Sequence, residues 1–277
     1  MQISLVLLLS YLGLLMPIQG VDLPSKGYTH LPETVSSEIS MEKKFKTSVQ
    51  ELEQAVLAED YEKVQQLREK LKKWVDRDRF STEAHYFIGY ADYRINTTFA
   101  KYNDGPKKPV IEEGIHHLRE ARKDDQLEAE ALALLSSFYG MKINGPVSVW
   151  KYGPKANECI EKALELAPNN PRVLLVDGIG KYYKPSIAGG GMKKAQGTLE
   201  KAVQLFENDK AISPSYLDWG RAEAYAWLGK IYMESGQWNK AGKMISKADD
   251  ISEGSYKWVE EELIPALQNQ NVETEAR

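Results

Sequence analysis

Four histidines and a single cysteine are the side chains of this sequence best suited to metal binding or nucleophilic chemistry. Two histidines follow a carboxylate by four residues, as Glu112–His116 and Glu113–His117. Residues four apart share one face of a helix, so each pair could hold a divalent metal. No further His or Cys cluster completes a four-ligand set, and a solvated helix surface with paired charges explains the same spacing. We therefore expect no metal site and no cofactor.

Cys159 lies within a helical pattern, where a packed thiol is a better interpretation than a nucleophile. The GxSxG, Walker A and HExxH motifs do not occur in the sequence. The sequence therefore predicts a protein that is not an enzyme.

Three segments stand out, residues 97–110, 141–155 and 184–191: aromatic and lysine side chains accumulate in the first two, and the third carries Lys184 and three glycines. This combination suits an anionic or carbohydrate-bearing ligand, or an acidic protein segment. The alternative is that the aromatic rings fold back to close the loops while the lysines are solvated. Three consecutive glycines could hold an anion on free amides or could simply allow a tight entry into the next helix. The candidate partner- or ligand-binding residues are Phe99, Tyr102, Lys142, Trp150, Tyr152, Lys184, Gly189, Gly190 and Gly191.

The elements that position these segments follow from residues 222–255, where small and large side chains alternate at fixed spacing. This segment resembles the tetratricopeptide repeat (TPR), a 34-residue helix–turn–helix unit. Leu228 and Gly229 fall at repeat positions 7 and 8. Later positions of the repeat are matched by Tyr232, Gly236, Trp238, Ala241, Ile245 and Ala248. Small residues let the two helices approach closely, and large residues fill the space between neighbouring hairpins.

Partial copies of the same pattern precede this segment. Second helices recur at residues 114–121, 156–168 and 195–205, and first helices carry Ile88-Gly89, Leu135-Ser136 and Ile179-Gly180 at positions 7 and 8. Residues 41–74 form a weaker copy, and Trp258 to Leu267 reads as a capping helix. The predicted fold is all-α, a right-handed superhelical solenoid of about five TPR-like helical hairpins over residues 41–267.

These three segments are insertions at one point of the repeat. Each lies in the turn between the two helices of a hairpin. Such turns share one edge of a stacked array, so we expect residues 97–110, 141–155 and 184–191 to cluster and to carry the function.

The N-terminal residues 1–20 contain no charged side chain and form an apolar run, which predicts a secretory signal peptide. A retained anchor is the alternative. Residues 21–40 read as a linker and residues 268–277 as a disordered tail. The formal net charge of −4 disfavours nucleic-acid binding. After signal cleavage we expect no membrane span.

Several short motifs, at Tyr152–Lys155, Asn170–Arg172, Lys184-Pro185, Gly189–Gly191 and Trp219-Gly220, resemble those of a group of exported bacterial TPR proteins. The resemblance implies the fold and a secreted or periplasmic location, and no reaction. We expect a scaffold or adaptor that binds a protein partner through the groove or the inserted-loop edge. The alternative is a periplasmic small-molecule-binding accessory of an envelope transport system, with a small polar or anionic ligand.

Overall fold

The structure is a computed structural model that describes residues 33–100, 108–208 and 219–275. The predicted signal peptide and Tyr102 lie outside the described residues. By its internal contacts the chain divides into residues 1–42 and 43–277. Only the start of the first helix falls within the described part of the former unit, so the description below concerns the latter.

The described residues form helices and contain no strand, so the all-α prediction is confirmed. Two short turns accompany the α-helices, a 3-10 turn at Ser186–Ala188 and a π-helical turn at Val259–Leu263. The α-helices are α1 Glu33–Leu57, α2 Tyr61–Val75, α3 Ser81–Thr97, α4 Lys108–Ala121, α5 Glu128–Met141, α6 Pro146–Leu166, α7 Pro171–Tyr183, α8 Met192–Asn208, α9 Arg221–Glu234, α10 Trp238–Ser252 and α11 Ile264–Glu275.

Two helix ends differ from the predicted boundaries. Helix α1 begins at Glu33, inside the segment predicted as a linker. Helix α11 continues to Glu275, inside the segment predicted as a disordered tail. Both stretches are polar and lack apolar periodicity, but their Glu and Gln residues favour helix without needing a buried face.

The first helices of the hairpins, α3, α5, α7 and α9, form an inner layer in which each contacts the next. In α3, 12 of the 17 residues are buried, as expected for a helix surrounded on all sides. The second helices lie outside this layer, and α6 buries only Ala163 among its 21 residues. Helices α4, α6 and α8 each pack against their own first helix and against the first helix of the next hairpin.

Glycines mark where the paired helices approach most closely. A Cβ at Gly89 would lie 2.5 Å from the Leu118 side chain, and one at Gly229 would lie 2.7 Å from Ile245. In the third pair the prediction was wrong by two residues, because Gly178 meets Leu199 while Gly180 faces open space. Two residues turn a helix by about 200°, so only one of these glycines can face α8.

Candidate functional site

The first inserted segment does not expose Phe99. Phe99 is completely buried, and its ring lies 5.3 Å from that of Tyr61. The burial of Phe99 fits the alternative in which the aromatic rings fold back to close the segment, because the turn after α3 uses the ring as core. Phe99 as a binding residue stays a prediction that this placement does not favour.

The second inserted segment is a helix rather than a loop. Residues 146–155 are the first ten residues of α6, which begins with Pro146 in its first turn. The Ser148 hydroxyl accepts a hydrogen bond from the Asn144 N–H (2.8 Å) and donates one to the Gly145 carbonyl (2.7 Å). Proline is preorganised for a helix start, so the insertion extends α6 by almost three turns.

Side chains on this extension of α6 divide into a packed set and an exposed set. The Tyr152 ring stacks on Tyr139 with centroids 6.5 Å apart, and the Lys142 ammonium lies 4.8 Å from the Tyr152 centroid. Lys142 also forms an ion pair with Glu112. By contrast, Trp150 is 84% exposed. Tyr152 and Lys142 are therefore held in contacts within the chain, whereas Trp150 is free to contact another molecule.

The third inserted segment holds its three glycine amides in internal hydrogen bonds. The N–H groups of Gly189, Gly190 and Gly191 donate to the carbonyls of Ser186 (3.1 Å), Pro185 (3.1 Å) and Lys181 (2.8 Å). Gly189 and Gly191 have φ values of 91° and 105°, and a Cβ on Gly190 would overlap the Lys184 carbonyl. These contacts favour the tight-turn interpretation over an anion site on free amides.

Exposed apolar side chains concentrate on the second and third inserted segments. Among the described residues, ten large apolar side chains are exposed, and seven of them lie within 143–150 or 183–192. We call residues 143–155 together with 183–194 the inserted edge. The seven exposed apolar side chains of the inserted edge are Ile143, Val147, Val149, Trp150, Tyr183, Ile187 and Met192.

A hydrogen bond joins the second part of the inserted edge to helix α6, just beyond the end of the first part. The Lys184 ammonium donates to the Asn157 side-chain oxygen on α6 at 2.7 Å. Asn157 lies seven residues after Trp150, which is two helical turns along one face or about 10 Å. Lys184 is therefore held on the face of α6 that also carries the exposed tryptophan.

Three of the four histidines meet on the outer surface of the α3–α4 hairpin. The Nδ1 atoms of His85 and His117 are 2.7 Å apart, and the His116 ring centroid lies 5.3 Å from that of His117. Burial and the neighbouring rings of His85 and His116 lower the pKa of His117 to about 4. His117 is therefore neutral near pH 7, which lets the two nitrogens share one proton.

The carboxylates predicted to accompany these histidines are engaged elsewhere. Glu112 pairs with Lys142, and Glu113 pairs with Arg68. Among the residues that the structure describes, no group of three or more potential ligands is arranged to hold a metal ion.

A buried polar network, which was not predicted from the sequence, fills the space between the inner helices. Arg172 on α7 donates to both oxygens of Glu130 on α5, with distances of 2.7–2.9 Å. The Tyr86 hydroxyl donates to the same carboxylate (2.9 Å) and accepts from the Trp219 indole N–H (3.0 Å). Asn170 caps α7 and donates to Glu130 as well.

The network continues to both ends of the inner layer. The Arg94 guanidinium pairs with Glu223 at 2.6 Å, joining α3 to α9. The Tyr90 hydroxyl donates to Glu53 on α1 at 2.5 Å, and its ring lies 4.8 Å from that of Trp219. We call these residues the inner network, whose members are the half-buried Glu53 and the buried Tyr86, Tyr90, Arg94, Glu130, Arg172, Trp219 and Glu223.

Glu53 carries the most unusual ionisation in the inner network. Burial raises its pKa to about 7, and the nearby Glu223 adds to the rise, although Arg94 and Tyr90 oppose it. Two carboxylates therefore compete for one guanidinium, and a proton on Glu53 relieves the competition.

No family model matches the chain, and no curated protein matches it. Among solved structures, the chain is similar to the HusA haemophore from Porphyromonas gingivalis, with 24% identity and a TM-score of 0.48. The match covers 76% of this chain and 96% of that chain. Similarity at this level does not transfer the ligand of that protein to this chain.

Among the described helices, none combines the length and the apolar character that crossing a bilayer requires.

Proposed function

We propose that this chain is an exported, TPR-like helical scaffold that binds a protein partner through the inserted edge. The order of helix contacts supports the repeat arrangement, since each second helix from α4 to α8 packs on its own first helix and on the next. Close approaches at a glycine of the first helix recur in three of the hairpins, at Gly89, Gly178 and Gly229. Export rests on the apolar N-terminal residues 1–20.

The distribution of exposed apolar side chains carries the proposal. Soluble proteins rarely expose several large apolar side chains together unless another molecule covers them. Trp150 is 84% and Ile187 100% exposed, and both belong to insertions that the repeat itself does not need. The inner network favours the inserted edge over the central groove of the helical array as the binding surface. Arg94 and Glu223 fill the space between α3 and α9, where such a groove would lie.

Affinity capture from the cell envelope of the source organism tests this proposal. The edge variant combines Val147→Ser, Trp150→Ala and Ile187→Ser, and the control variant combines Leu166→Ser with Ile251→Ser. All five side chains are exposed, so both variants should fold with unchanged melting temperatures. We expect the edge variant to lose the protein that the wild type and the control variant both capture. Equal recovery by all three proteins would contradict the proposal.

A carrier of a small polar ligand is the second candidate, and a groove between α6, α7 and α8 favours it. The groove has a volume of about 450 Å³, within the range of ligand sites. A thermal-shift screen against polar metabolites distinguishes the two functions, because a carrier gains a higher melting temperature from its ligand.

We further propose that the chain has no catalytic activity of its own. Burial raises the pKa of the Cys159 thiol, which leaves it protonated and weakly nucleophilic. An activity-based thiol probe that labelled Cys159 in the folded protein at neutral pH would contradict this.

A further inference from the structure

The inserted edge lies within two stretches of the sequence that contain lysines and no acids. Residues 131–157 and 178–199 contain seven lysines and no Asp or Glu, although the chain as a whole has a net charge of −4. The acid-free stretches enclose both parts of the edge. The seven lysines in these stretches are Lys142, Lys151, Lys155, Lys181, Lys184, Lys193 and Lys194.

Most of these lysines keep their charge uncompensated by a neighbouring carboxylate. Lys142 pairs with Glu112, and Lys181 pairs with Asp177 at 2.5 Å. Lys184 and Lys194 donate to neutral oxygens, those of Asn157 and of the Gly189 carbonyl.

Aromatic rings rather than acids accompany the lysines on α6. Lys151 lies 5.2 Å from the Tyr152 ring centroid, and Lys155 lies 5.9 Å from that of Tyr139. Cation–π contact leaves the full positive charge available to a partner.

The groove between α6, α7 and α8 extends the same chemistry away from the edge. Its apolar floor includes Leu164, Pro168 and Leu174, and the side chains of Lys193, Lys194 and Lys201 line it as well. Asp177 also lines the groove, where Lys181 neutralises it. An apolar floor with cations alongside fits an apolar side chain that has carboxylates beside it. A bilayer is flat and cannot enter such a groove, so a polypeptide segment is the better match.

We propose that the inserted edge and this groove bind an acidic segment of the partner protein, in which apolar side chains alternate with Asp or Glu. The inference rests on the proposed function and names the chemistry of its partner. Apolar anchors of the partner contact Trp150 and the groove floor, while its carboxylates meet Lys151, Lys155 and Lys193. Charge complementarity of this kind selects the partner and accelerates the encounter.

Photo-crosslinking of the full-length chain in the source organism tests the inference. Benzoylphenylalanine replaces Trp150 or Ile187, with replacements of Leu166 and Ile251 as matched exposed controls. Each of these benzoylphenylalanine-bearing chains is also made with Lys151→Glu, Lys155→Glu and Lys193→Glu combined, as the glutamate variant. Arginine at the same three positions keeps the charge, and Lys243→Glu with Lys247→Glu reverses two exposed lysines on α10. Melting temperature and export are checked for every variant.

The inference predicts a protein crosslink from positions 150 and 187 that maps to an acidic segment. Its yield should fall by about fivefold or more with the glutamate variant and stay within about twofold with the arginine and α10 variants. The crosslinked segment, made as a synthetic peptide, should bind the purified chain more weakly at high salt, and the glutamate variant should bind it less than the wild type.

Each remaining outcome overturns a specific part of the account. A protein crosslink that survives charge reversal, or that maps to a segment without acids, overturns the acidic partner and leaves the proposed function standing. Crosslinks to lipid alone, or none from a folded and exported chain, overturn both.

Discussion

At the scale of single residues, the inner network is the feature with the largest consequences for stability. The carboxylates of Glu130 and Glu223 are buried and that of Glu53 is half-buried, so each needs a proton or hydrogen-bond partners to remain in the interior. Glu53 accepts from Tyr90 and lies near both Arg94 and Glu223. Arg172 donates hydrogen bonds to both carboxylate oxygens of Glu130, so each charge has its partner.

The raised pKa of Glu53, about 7 against an ordinary 4.5, predicts a pH dependence of stability. The folded state holds this proton more tightly than the unfolded chain. The contribution is therefore complete below about pH 4.5 and is lost as pH rises through about 7, by about 3 kcal/mol. Glu53→Gln should be more stable than the wild type at about pH 8, and its advantage should shrink towards about pH 5.

Urea unfolding of both proteins across this pH range measures the difference. Glu51→Gln, on the same helix and partly exposed, serves as the control and should change stability by less than about 0.5 kcal/mol at each pH. A stability difference between wild type and Glu53→Gln that does not vary with pH would exclude a buried titrating carboxylate.

At the scale of elements, the repeat pattern predicted the helical pairs because its small residues have a direct packing role. Gly89 and Gly229 stand where the helices touch, as the sequence indicates. The register failed at α7, where two glycines, Gly178 and Gly180, fit the pattern almost equally. The helical form of residues 146–155 was missed because their aromatic, proline and glycine content is typical of loops.

The two glycines of α7 offer a matched test of helix packing. Gly178→Ala should destabilise the fold by about 1–3 kcal/mol, because its Cβ meets the fully buried Leu199. Gly180→Ala has open space and should stabilise the fold by about 0.5–1 kcal/mol through helix propensity. Chemical denaturation of the two variants decides between the registers, and the reverse order would restore Gly180 as the contact residue.

At the scale of the whole molecule, contacts across long stretches of sequence were beyond prediction. Arg94 and Glu223 are separated by 129 residues, and nothing in the repeat pattern pairs them. The motif residues Asn170, Arg172 and Trp219 looked like family markers, and the structure gives them a packing role in the inner network. Predicting the edge was easier, since insertions interrupt a regular spacing.

The Arg94–Glu223 pair should behave as a single unit that joins α3 to α9. Arg94→Met leaves the buried Glu223 carboxylate without its cation and should cost about 3–5 kcal/mol. Glu223→Met should cost less, because the nearby Glu53 can then ionise and compensate the Arg94 charge. The double variant removes both charges and should be more stable than the sum of the single losses implies. Denaturant unfolding of the four proteins completes the cycle. Strictly additive losses would mean that the two side chains do not depend on each other.

The proposed function requires that the inserted edge, and not the filled interior, contacts the partner. Hydrogen exchange of the chain alone and in complex with its captured partner tests this most directly, because it reports on every helix at once. We expect slower exchange on binding within residues 143–155 and 183–194, with α3 and α9 unchanged. Protection that appears in α3 and α9 while the inserted edge exchanges at its free rate would contradict the account.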